Sequence, residues 1–226
     1  RTGGGDYALC FELAAGMKEG AFEIADTPGG ATVRASGLIG LMHGAGEFLR
    51  QSVFTREGME PCCWRGSMTP YCSTRGSYFA NHFHNFYHMA EISELTRYIE
   101  DLALWGFNYI MFTIPRIDMD NENCPEKVPH IRRIAEISRA AHGAGMRLAT
   151  SLSCNDVYKE YPPELAIVPH ADPLGRRGNS GNMICISKPG GQQMMDHINR
   201  DYLQTLKEFG AEVDLLITWP YDEGGC

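Results

Sequence analysis

The spacing of apolar and polar positions changes period along this chain. Residues 7–13, 21–25 and 31–35 alternate apolar and polar side chains, which predicts successive strands of one sheet, the second and third joined through Pro28-Gly29-Gly30. The period then becomes helical. Leu38, Leu41, Met42, Ala45, Phe48 and Leu49 fall on one face of an expected helix over 37–52, with Ser36 as its N-cap. Gly40, Gly44 and Gly46 weaken a helix and are expected where it lies close on the sheet. Residues 55–73, with Pro61, Gly66 and Pro70, read as a connection. The expected organisation is an α+β domain over 1–58, a linker over 59–73 and a second domain over 74–226.

From Thr74 the pattern becomes strand, helix, strand, helix. Strands are expected at 77–80, 109–114 and 147–152, with helices at 91–105, 128–144 and 192–209, the last two closed by Gly145 and Gly210. A long loop, 153–190, precedes the third helix, and an apolar run from Val213 to Trp219, expected to be a buried strand, follows it. Repeated βα units imply a parallel sheet. Each strand leads into polar residues: Asn81-His82-Phe83-His84-Asn85, Pro115-Arg116-Ile117-Asp118, Ser153-Cys154-Asn155-Asp156 and Tyr221-Asp222-Glu223. Polar groups after every strand suit a barrel, whose loops all reach one mouth, better than a single crevice in an open sheet. No GxGxxG or Walker loop is present. The fold expected is α/β: a small N-terminal α+β domain, then the first four strands of a (β/α)8 TIM barrel. Such a chain is about half of an enzyme. Alone it is expected to be inactive, because four parallel strands leave an open edge.

Composition narrows the function. With 226 residues, 43% of them hydrophobic, the chain can bury a sizeable core, and a net charge of −8 without a basic block argues against nucleic-acid binding. The eight cysteines are scattered without a CxxC pair, which reads as free thiols. No apolar run reaches membrane-spanning length and no leader pattern is present, which leans toward the cytoplasm; a first residue of Arg rather than Met leaves the compartment open. Oligomeric state is not legible.

Asp222-Glu223 is the strongest candidate for chemistry. Two neighbouring carboxylates in a dry cleft cannot both ionise freely, so one can stay protonated as an acid while the other remains charged. Trp219 and Tyr221 beside them suit stacking on a sugar face. The competing reading of Asp-Glu-Gly-Gly is a solvated turn. Arg75, before the first barrel strand, has a planar fork that suits vicinal hydroxyls, or is a surface arginine. His82-x-His84 is open between hydrogen bonding to a ligand, metal ligation and a structural role. Asn155 occupies the corresponding loop after the third strand. Lys188 and Asp196 carry no specific argument.

These features resemble the family 20 β-N-acetylhexosaminidases and their family 84 and family 67 α-glucuronidase relatives. The resemblance rests on the helix Ala35 to Arg50, on Arg75-Gly76 opening the barrel, on Trp105-Gly106-Phe107-Asn108-Tyr109-Ile110, and on the Asp222-Glu223 pair. It implies a glycosidase in which Glu223 is the general acid, Asp222 orients a 2-acetamido group, and Arg75, Asn81, His82, His84, Asn155, Trp219 and Tyr221 surround a carbohydrate substrate, with no cofactor or metal. The chain departs from that pattern where glycines follow the acidic pair instead of preceding it, and where Asn81-His82-Phe83-His84 replaces the Asp and Arg expected after the first strand. An α-glucuronidase-like activity therefore stays open. So do a metal-dependent barrel hydrolase using His82 and His84 and a non-catalytic carbohydrate-binding relative.

Overall fold

A computed structural model describes residues 6–80, 85–112, 127–153, 161–167 and 184–219. Among the described residues the elements follow in the order β1 (Ala8–Leu13), β2 (Phe22–Thr27), β3 (Gly30–Ala35), α1 (Leu38–Gln51), β4 (Val53–Thr55), β5 (Gly58–Glu60), β6 (Gly66–Met68), β7 (Gly76–Phe79), α2 (Phe86–Met89), α3 (Ile92–Leu104), β8 (Tyr109–Phe112), α4 (Lys127–Gly143), β9 (Arg147–Ser153), α5 (Gly191–Glu208) and β10 (Leu215–Trp219). Two compact units divide the chain. One comprises Arg1–Ser77, Ser93–Ile110 and Ala140–Arg147; the other comprises Tyr78–Ile92, Met111–Arg139 and Leu148–Cys226.

The alternating N-terminal segments form a sheet in the order β1-β3-β2-β6. β1 runs parallel to β3, and β2 pairs antiparallel with β3 and β6. Phe22, Ile24, Ala31, Val33 and Ala35 gather with Phe48 of α1 and Cys62 into one core. The stretch expected as a linker thus contributes β6 to this sheet, and β4 and β5 within and beside it form a small hairpin.

Close packing accounts for two of the three helix glycines as expected. A β-carbon on Gly40 would stand 2.7 Å from that of Ala35, and one on Gly44 would stand 2.3 Å from Val33 Cγ1. Gly46 has another cause, because its β-carbon would meet the carbonyl oxygen of Leu104 at the end of α3 at 1.8 Å. The N-cap also differs from expectation. Gly37 holds it in extended conformation with no side-chain bond, so the Ser36 hydroxyl does not cap α1.

The second sheet has the order β10-β9-β8-β7, with β10 parallel to β9. Sequential neighbours joined by helical crossovers are the signature of a parallel βα array. Three of its helices end in the same way. Gly106, Gly145 and Gly210 take φ of 97°, 76° and 78°, which a residue with a side chain resists. The amides of Phe107, Met146 and Ala211 then reach back to the carbonyls of Leu102, Ala141 and Leu206, as in Schellman closures. Each closure turns the chain toward the next strand, so Gly145 and Gly210 stop their helices as the sequence predicts.

β10 stands at the described edge of this sheet, the open edge expected of four parallel strands. Its described neighbour is β9 alone, and Leu216 is 45% exposed. An edge position leaves one side of the strand without covering residues. Within the long loop, Pro163–Leu165 forms a single 3-10 turn and Ala166 bridges Ile184.

Candidate functional site

The parallel array is pinned where its strands start. The Asn108 amide donates to the Arg75 carbonyl at 2.9 Å, the Arg147 amide to the Asn108 carbonyl at 2.9 Å, and the Asp214 amide to the Leu148 carbonyl at 2.9 Å. Two side chains reinforce these contacts. Asn108 Oδ1 accepts from the Arg75 amide at 2.8 Å while its Nδ2 donates to the Ser73 carbonyl at 2.7 Å. Asp214 Oδ2 accepts from the Leu148 amide at 2.8 Å.

Arg75 belongs to this starting edge. Its Nε donates to the Gly106 carbonyl at 2.6 Å and its Nη1 to the Cys72 carbonyl. Beside it lies buried His43, whose Nδ1 is 2.8 Å from the Gly20 carbonyl and whose Nε2 is 3.4 Å from that of Phe107. Burial pushes the His43 pKa down, and the Arg75 and Arg50 charges add to this against the upward pull of the two carbonyls. A neutral ring donating from Nδ1 to Gly20 satisfies that geometry. Gly20, at φ 75°, leaves room here: a β-carbon on it would lie 3.0 Å from the His43 ring and 3.1 Å from Arg75 Nη2. The Arg75 guanidinium therefore contacts main chain at the start of its strand.

The opposite ends of the strands carry the remaining candidates. Trp219 closes β10, its Cα in register with that of Ser153. Asn81, His82, His84, Asn155, Tyr221, Asp222 and Glu223 lie outside the described residues, as do Arg116, Asp118 and Asp156. Among the described residues no group of three or more His, Cys, Asp or Glu is placed to hold a metal ion. No described helix is long and apolar enough to cross a membrane. Described residues line two clefts. One of about 420 Å³ lies at the start of α1 between Glu19, Ser36, Ile39 and Gly145, and its carboxylate is already paired with Arg147 at 3.0 Å. The other, about 570 Å³, runs along α5 beside His197, Arg200 and Lys207.

β9 shows what periodicity alone left out. Thr150 Oγ1 lies 2.7 Å from the Tyr202 hydroxyl of α5, so this face of the strand looks toward the helix. Side chains alternate across a strand, so Ala149 and Ser151 point the other way, in register with Leu215 and Ile217 of β10. Ser151 is 7% exposed. The signal in the sequence was a strand with small polar residues where bulky branched ones are usual. Lys188 and Asp196 also acquire places: Lys188 Nζ donates to the Ala166 carbonyl at 2.6 Å, and Asp196 pairs with Arg200 at 2.7 Å on the surface of α5.

No protein-family model and no curated protein sequence matches the chain. Solved structures do match. A Streptomyces plicatus β-hexosaminidase in complex with its product GlcNAc aligns over 94% of this chain and 47% of its own at 15% identity and a TM-score of 0.60. The family 20 exo-β-N-acetylglucosaminidase of Vibrio harveyi, in complex with N-acetylglucosamine, aligns over 87% of this chain and 36% of its own at 15% identity and a TM-score of 0.58. The family 20 β-N-acetylhexosaminidase of Streptomyces coelicolor A3(2) aligns over 98% and 59% at 14% identity and a TM-score of 0.53. The chain spans between about a third and three fifths of these structures, and over that length it has the hexosaminidase-like fold: an α+β sheet domain leading into part of a (β/α) barrel.

Proposed function

We propose that this chain carries part of the active site of a glycoside hydrolase, with Glu223 as general acid and Asp222 as the group that orients the substrate's 2-acetamido function. What supports the reading most is one coincidence: the chain shares its fold with exo-β-N-acetylglucosaminidases, and in the sequence two residues separate its one Asp-Glu pair from the end of β10, the fourth strand of the parallel array. Catalytic groups of barrel enzymes sit at the carboxyl ends of strands.

In the proposed reaction the Glu223 carboxyl donates its proton to the glycosidic oxygen as the bond from C1 to that oxygen breaks. The substrate's acetamido oxygen attacks C1 and forms a cyclic oxazolinium intermediate, with Asp222 holding the acetamido N–H. Water, deprotonated by Glu223, then opens the ring and restores both groups. Asn81, His82, His84, Asn155, Trp219 and Tyr221 are assigned to the sugar's hydroxyls and faces. Arg75, engaged with the Gly106 and Cys72 carbonyls, is assigned instead to holding the start of β7.

The test compares Glu223→Gln with the intact parent protein on aryl β-N-acetylglucosaminides of differing leaving-group pKa. Loss of a general acid costs about 10²–10⁴-fold, least for the best leaving group. Equal turnover by parent and variant on every substrate would remove Glu223 from the mechanism.

A further inference from the structure

We propose that His43 is an acid-sensitive latch: its neutral imidazole seats α1 between the loop before β2 and the turn after α3, and a second ring proton unseats it. The residues involved all belong to one compact unit, and the inference stands apart from the glycosidase reading. Three observations carry it. His43 lies on α1 and is 4% exposed. Its two ring nitrogens face carbonyls of separate segments, Gly20 at 2.8 Å and Phe107 at 3.4 Å. Beside the ring is Arg75 Nη2, which is buried and has no hydrogen-bond partner among the described residues. The ring and Nη2 stand 3.0 and 3.1 Å from the place a Gly20 β-carbon would occupy, which puts them within about 6 Å of each other.

A neutral ring has one N–H, which the shorter Gly20 contact takes. A second proton would give the Phe107 carbonyl a donor. It would also place a full charge, out of water, beside a guanidinium nitrogen that already lacks a partner, and the cost of burying an unpaired charge exceeds the gain of one hydrogen bond. The charged side chains that act on the ring are Arg75, before β7, and Arg50, on α1. Behind them stand Glu19 and the Cys72 thiol, which act on Arg75, and Glu47, which acts on Arg50. Both carboxylates are engaged elsewhere, Glu19 with Arg147 at 3.0 Å and Glu47 with Arg50 at 2.9 Å, so neither is placed to neutralise an imidazolium. Protonation therefore favours a form in which the ring has reached water.

The experiment measures hydrogen exchange of the intact parent at pH 7 and pH 5.5, corrected for the intrinsic pH dependence of exchange, and follows the His43 ring by NMR across that range. An exposed histidine titrates near pH 6.5, so opening that frees the ring should become up to about eightfold more frequent at the lower pH. The amides of Ala21, bonded to Lys18, and of Phe107 and Asn108, bonded to Leu102 and Arg75, should report that rise. They should also exchange faster at both pH values than those of Thr32 and Val33 in the middle of β3, because release of the latch leaves the sheet paired. His43→Gln keeps a donor for Gly20 and cannot titrate, so it should abolish the rise; Arg75→Gln removes the opposing charge and should reduce it. A ring that takes its second proton at or above pH 6.5 in the folded protein, protection at Ala21 and Phe107 that acid leaves unchanged, or an equal rise in His43→Gln would each overturn the proposal. Protection at these amides as high as in β3 would do the same, since opening would then be general unfolding.

Discussion

Gly46 offers the sharpest test of how the N-terminal helix is seated. In an isolated helix alanine is better than glycine by about 1 kcal/mol, so propensity alone predicts that Gly46→Ala stabilises. The packing predicts the reverse. A β-carbon at Gly46 would stand 1.8 Å from the Leu104 carbonyl oxygen and 2.6 Å from its carbon, both main-chain atoms that no rotamer change can move. Restoring ordinary contact at about 3.4 Å requires α1 and the end of α3 to separate by roughly 1.6 Å. That separation stretches the bond from Arg50 Nη1 to the same carbonyl and lifts Arg50 from its place 5.1 Å over the Trp105 ring. Overpacking of this kind costs about 1–3 kcal/mol, and the lost contacts bring the net to about 2 kcal/mol of destabilisation after the propensity gain. For a chain of this size that lowers the melting temperature by roughly 4–8 °C. Gly143→Ala is the control: it too replaces a helix glycine, but a β-carbon there meets nothing within 4 Å. It should raise stability by up to about 1 kcal/mol. Thermal unfolding of both variants checks the pair, and a Gly46→Ala melting temperature at or above the parent's would refute the packing argument.

Two further outcomes follow from the strand-start contacts. Burial holds the His43 pKa below its ordinary value of 6.5, so the unfolded chain binds the extra proton first. The stability this contributes is present above about pH 6.5 and lost as pH falls below it, at no more than about 1.4 kcal/mol per pH unit. Urea midpoints at pH 7 and pH 5.5 should show the decline in the parent and a flatter response in His43→Gln; equal slopes would place its source elsewhere. Asp214→Ala should strip the buried Leu148 amide of its carboxylate partner, costing about 1–3 kcal/mol and raising that amide's hydrogen-exchange rate, whereas Asp214→Asn keeps an acceptor and loses less. Unaltered protection of Leu148 in Asp214→Ala would show that the carboxylate does not hold the register.

The elements that could be read directly from the residues are those whose periodicity is reinforced by a local stop. α4 and α5 lie within a residue or so of expectation because Gly145 and Gly210 end them by backbone conformation, a property the sequence states outright. Long-range partnership was not legible. Nothing in Gly66–Met68 announces that it pairs with Phe22–Ile24, and nothing in Gly46 says that its neighbour is Leu104 instead of the sheet. Arg75 shows the same limit. A motif fixed its position along the chain, and only the geometry revealed that its fork meets the carbonyls of Gly106 and Cys72.

Asn108 is 3% exposed, and its amide works in both directions, accepting from Arg75 and donating to Ser73. Aspartate could not donate there and leucine could do neither, so the foundation of the array tolerates little substitution at this point. A scaffold anchored at its base leaves its rim free to vary. Residues at the far ends can change while these base contacts stay in place, and one architecture can thereby carry different chemistry.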